Sequence, residues 1–214
     1  MVSVRLYFLA ERGLVCVQEV RKAHRQSRSI RQQGSRSRSG SSEMPTDDLR
    51  IWALGALDDE LVMFSAEVLA ARKWVAVPVE SALHFDEADA KCLSVAILAI
   101  REENLVGILV EEARAEPPSV DVSATKDGLM KFSEERSLFS YMLVPRSRRF
   151  AVLCTVHDYY IVAGDRDFVE HAIGEGAVAA SMAFARFIED RGLPQREVDN
   201  LRKVHAACAS SLGR

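Results

Sequence analysis

Residues 150–173, FAVLCTVHDYYIVAGDRDFVEHAI, constrain the fold of this chain most. Two apolar runs, 150–156 and 159–163, flank the polar pair His157–Asp158. Short runs rich in Val, Ile and Tyr read as strands, and Asp is a good turn former. The spacing therefore predicts a β-hairpin turning at His157–Asp158. Gly164 ends it. Asp165 and Asp167 then open a short helix that stops at Gly174, because acids near a helix start accept its orphan N–H groups.

Upstream, the pattern predicts a first strand around 51–54. A helix follows, opened by Asp58 and Asp59, with Leu61, Phe64, Val68 and Leu69 on one side up to Arg72. Residues 74–79, WVAVPV, read as a strand that is either at an edge or ends at Pro78, since Pro78 cannot donate a ladder hydrogen bond. Asp86 opens a second helix with a stripe of Ala90, Leu93, Ile97 and Ile100. It is apolar nearly all round from 92 to 100 and is expected to be well buried. Residues 105–110 read as an internal strand and 111–128 mostly as loop. Residues 129–144 are ambiguous: Leu129, Phe132, Arg136 and Phe139 fit a helix, while 138–144 also fits a strand. Residues 145–149 form an exposed basic turn. Helices at 178–188 and 195–209 complete the chain, the last with a stripe of Val198, Leu201, Val204 and Cys208. The expectation is an α+β fold: one domain over 44–214, with a mixed sheet and helices packed mainly on one face.

Charge divides the chain. The net charge is −3, yet residues 1–43 carry nine Lys/Arg against three Glu, leaving nineteen basic and twenty-eight acidic residues beyond them. Within 21–42 the only large apolar residue is Ile30, so this stretch cannot bury enough surface to offset its ordering entropy and is expected to be disordered. Three readings are open for the leader: an RNA- or phosphate-binding arm, an organelle transit segment, or an extension ahead of a start at Met44. The acidic body is a poor nonspecific binder of nucleic acid. Cys16, Cys92, Cys154 and Cys208 form no C-x-x-C pair, which points to a reducing, cytoplasmic setting. No apolar run approaches the roughly 18 residues of a membrane span.

The hairpin region gathers the side chains with chemical capacity. A Cys beside an imidazole can act as a nucleophile, which makes Cys154, His157 and Asp158 catalytic candidates. On a strand, however, residues three apart face opposite ways, so Cys154 and His157 meet only if the turn folds back. Cys154, His157, His171 and Asp158 also make an incomplete zinc pattern. Asp165 and Asp167, beside Glu170, are candidate ligands for Mg²⁺ or Ca²⁺, although helix capping explains them more simply. Asp86, Glu87 and Asp89 allow the same two readings. No cofactor motif is present. As interaction candidates stand the turn arginines Arg146, Arg148 and Arg149, for an acidic partner, and Tyr159 and Tyr160, of which one ring is expected to face outward. Trp52 or Trp74, if exposed, would serve as anchors.

The functional expectation is a non-catalytic interaction or regulatory module acting through protein–protein contacts, with a homodimer through the C-terminal helices as one form. The rival is a small-molecule enzyme with its site near residues 154–167.

Overall fold

The computed structural model describes residues 46–82, 84–111, 116–190 and 192–213. The leader readings and Cys16 lie outside these. In chain order the elements are α1 (Thr46–Leu54), α2 (Ala66–Arg72), β1 (Val75–Glu80), α3 (Glu87–Ala99), β2 (Asn104–Leu109), β3 (Ser119–Ser123), α4 (Lys126–Arg136), β4 (Tyr141–Val144), β5 (Ala151–Cys154), β6 (Tyr159–Gly164), α5 (Arg166–Ala172), α6 (Ala177–Asp190) and α7 (Gln195–Leu212).

The six strands form one sheet in the order β1-β6-β5-β4-β2-β3. The α+β expectation holds. In detail, every neighbouring pair is antiparallel, not mixed. Helices also cover both faces. Leu93 and Ile97 of α3, Leu129 and Phe132 of α4, and Phe168 and Val169 of α5 pack on one face with Val77, Val152 and Tyr160. Leu49 of α1, Leu69 of α2, Phe184 of α6 and Val204 of α7 pack on the other with Ile108, Leu153 and Ile161. The strands are thus apolar on both sides, which is why they read as continuous runs and not as alternation.

Capping explains the helix starts. Asp86 and Asp89 form a capping box on α3. Asp165 Oδ1 accepts the Phe168 N–H at 2.8 Å and caps α5. Glu170 lies in neither cap of α5; its Oε2 accepts the Ala177 N–H at 2.9 Å and holds the start of α6.

Four local expectations are corrected. The stretch 51–54 is the end of α1, because four apolar residues in a row fit either period. Asp58 opens no helix: its Oδ1 accepts the N–H groups of Val62 and Met63 in a loop, and Ser65 caps a shorter α2. Residues 119–123, expected as loop, form the edge strand β3. On α3, Val95 and Leu98 remain 62% and 42% exposed, since only one side of that helix meets the sheet.

β1 is an edge strand, as Pro78 requires. The Ala76 N–H points away from β6 and is accepted by Ser211 Oγ of α7 at 2.8 Å. Two residues on, on the same side, Pro78 has no N–H to expose. α6 crosses this edge, placing Ala177 and Ala180 in one core layer and Phe184 and Phe187 in the other. The edge is therefore closed to pairing with another strand. Ser211→Ala would leave the buried Ala76 N–H unsatisfied, and we expect a stability loss of about 1–2 kcal/mol. An unchanged urea midpoint would show that this bond does not hold the edge.

Candidate functional site

The predicted hairpin forms, with Cys154 opposite Tyr160. Asp158 takes the left-handed conformation, φ 60°, that Asp tolerates in tight turns. Thr155 Oγ1 donates to the Tyr159 carbonyl at 2.6 Å and accepts the His157 N–H at 3.2 Å, fixing the turn.

This geometry separates the hairpin candidates. Cys154 is fully buried on the α3–α5 face of the sheet, and burial pushes its thiol well above the usual range. His157 is exposed at the turn, so the turn does not bring it back to Cys154. His171 lies on α5, where its Nδ1 donates to the Asp167 carbonyl at 2.6 Å. Asp165 is engaged as a cap. Among the described residues no group of three or more His, Cys, Asp or Glu converges on a metal-sized space. Tyr159 and Tyr160 are 2% and 1% exposed, so neither ring faces outward. The expectation of one outward ring assumed a bare sheet face. Instead Tyr159 lies edge-on to Phe184, and Tyr160 edge-on to Phe85.

Two surface features remain. The first lies at the β4–β5 turn. There Arg148 of the turn lies over Trp52, and Arg72 of α2 lies over both tryptophans. Arg148 lies in a left-handed turn conformation, φ 59°, with its guanidinium carbon 5.2 Å from the Trp52 ring. Arg72, at the end of α2, has its guanidinium carbon 4.9 Å from both the Trp52 and the Trp74 rings. Its Nη1 donates to the Arg148 carbonyl at 2.7 Å, joining α2 to the turn. Trp52 and Trp74 meet edge to face, 6.4 Å apart; Trp52 is half-buried, and Trp74 is buried in the core, so of the two expected anchors only Trp52 reaches the surface. Arg149 Nη1 donates to the Ile100 carbonyl at 3.1 Å, at the end of α3. Arg146 and Lys73 are exposed beside them.

A guanidinium close to an aromatic ring is held in place by attraction to the ring's negative face. Burial, and after it the charge of Arg148, lower the pKa of Arg72. An arginine keeps its proton at neutral pH even so. Two cations held this close favour an anionic group above them. The sequence marked Arg146, Arg148, Arg149 and the tryptophans separately. It gave no sign of Arg72, which reaches this place only through the packing of α2.

The second feature is a cleft of about 540 Å³ at the opposite, β5–β6 end of the sheet. Val62, Tyr159, Leu201 and Val204 provide its apolar wall; Glu60, Glu197, Asp158, His157 and Asn200 lie among the polar lining residues. Among the described residues no lysine or arginine lines it.

No helix among the described residues is long and apolar enough to cross a membrane. Compared with protein-family models, with curated proteins and with solved structures, the chain matches none.

Proposed function

We propose that the chain is a non-catalytic protein-interaction module that docks an acidic segment of a partner protein on the Arg72–Arg148–Trp52 face, which rests on the buried Trp74. The observation that carries this is the Arg72 guanidinium resting on two tryptophans. Trp and Arg dominate the energetics of protein interfaces, and a guanidinium can match a carboxylate bidentately. The leader, being basic, is repelled from this face. A cytosolic setting accords with the free thiols of Cys92, Cys154 and Cys208. The enzyme alternative near 154–167 draws no support from the geometry, since Cys154 is buried and Asp165 is bonded to a helix N–H.

The protein has two tryptophans, Trp52 at this face and Trp74 buried beneath it, so tryptophan fluorescence reports on this region. Titration with a Glu/Asp-rich peptide is expected to shift that emission in a salt-sensitive way. Arg72→Ala should weaken the binding about tenfold or more, in the range of a charged interface contact. No response, or an equal response to a Lys-rich peptide, would refute the reading.

A second copy of the chain as partner is the alternative carried by α6, where Val178 and Met182 are 61% and 59% exposed. A concentration-independent monomer mass in sedimentation would remove it.

A further inference from the structure

We propose that the cleft at the β5–β6 turn is the docking site for the chain's own arginine-rich segment, residues 21–42. This inference does not depend on the Arg–Trp face.

Charge is the first argument. Glu60, Asp158 and Glu197 line the cleft, and among the described residues no Lys or Arg does. Residues 21–42 carry seven Lys/Arg and no acid. Opposite charges across a concave, partly apolar surface concentrate a ligand there.

Shape is the second. The wall of Val62, Tyr159, Leu201 and Val204 offers room for an apolar side chain beneath the carboxylates. The segment has one large apolar residue, Ile30, set between Arg28 and Arg31. An Arg-x-Ile-Arg sequence presents one apolar group flanked by cations, the complement of an apolar wall with an acidic rim.

Reach is the third. The Asp48 carbonyl, near the start of α1, accepts from Arg148 Nη2 at 3.4 Å, which places the start of the body at the β4–β5 end. The cleft lies one strand away, at the far end of β5 and β6 (four and six residues), roughly 13–20 Å at about 3.3 Å per residue. Sixteen residues separate Ile30 from Thr46. A coil of that length has a root-mean-square span of roughly 20–25 Å and extends to about 55 Å, so the segment reaches the cleft without strain. The Arg–Trp face is nearer, but repels a cationic chain.

The test uses the full chain, with the photo-reactive residue p-benzoylphenylalanine replacing Asn200, an exposed cleft residue. Irradiation at low salt, followed by mass spectrometry, is expected to give adducts within one chain to residues 21–42, centred on Ile30. High salt, or the pair Glu60→Gln and Glu197→Gln, should lower their yield about fivefold or more, because the attraction is screened or removed. Both glutamates are exposed, so an unchanged circular dichroism spectrum is expected for the pair. Adducts to a second copy, adducts mapping elsewhere, or a yield indifferent to salt and charge would each overturn the proposal.

Discussion

Gly128→Ala is expected to destabilise the protein by about 2–3 kcal/mol, the cost of forcing extra volume into a packed site. Helix propensity alone gives the opposite sign. Gly128 stands in the first turn of α4, where its N–H donates to the capping Thr125 Oγ1 at 3.2 Å. Alanine at a helical glycine is ordinarily worth up to about 1 kcal/mol in favour. Here a Cβ would sit 2.4 Å from the Ser123 carbonyl oxygen and 2.7 Å from the Ser123 Cβ. The nearer atom is backbone, fixed by the pairing of β3 with β2, and cannot turn aside. The glycine therefore permits α4 to start directly against the end of β3. Equilibrium urea unfolding measures the effect. Adding Ser123→Gly should recover only part of the loss, because the carbonyl remains. A variant as stable as the parent would mean that the close approach is not obligatory.

Acidification gives the second large effect. His84 is 1% exposed and stacks on Phe132, ring centres 5.6 Å apart. Its Nε2–H donates to the Arg136 carbonyl at 3.0 Å, leaving Nδ1 buried without a partner. Burial holds its pKa down at about 4, against the pull of the Arg136, Phe139 and Thr155 carbonyls, which favour the proton. The folded-state pKa lies below the unfolded value of about 6.5, so the unfolded chain takes up the proton first. The stabilisation is complete above pH ~6.5 and is lost progressively between pH ~6.5 and ~4, by about 3 kcal/mol in all. Asp58 and Asp89, raised by burial, act in the opposite sense at lower pH. The measurement is therefore a comparison with His84→Phe, which keeps a ring against Phe132 and removes the titration. Between pH 6 and 4.5 the variant should show a slope of stability against pH shallower by up to one proton, about 1.4 kcal/mol per pH unit. Equal slopes would show that His84 does not titrate in this way.

The two positions differ in how far the sequence reveals them. Gly128 reads as one of several turn residues in 117–128, because nothing local indicates that a strand ends five residues earlier. His84 carries no local signal; its burial depends on α4 closing over it, with the Ser133 hydroxyl accepting the Phe85 N–H at 2.9 Å. By contrast the hairpin, the caps at Asp86 and Asp165 and the edge position of β1 are set by the chemistry of adjacent residues. The candidate face was half legible. The arginines of the β4–β5 turn and the tryptophans stood out by type. Their meeting joins residues 76 positions apart, between Arg72 and Arg148, a separation at which no periodicity operates.

Local composition and spacing by themselves determined that this chain makes an α+β body after a basic leader. They also determined that 150–163 turns back on itself and that the acids at 86 and 165 start helices. Only the tertiary structure decided that both faces of the sheet are covered. That covering buries Tyr159, Tyr160 and Cys154 and gathers Arg72, Arg148 and Trp52 on one surface, over the buried Trp74. The physical reason is range: turn and cap energies are settled within a few residues, whereas burial and cation–ring contact depend on which distant helix packs where.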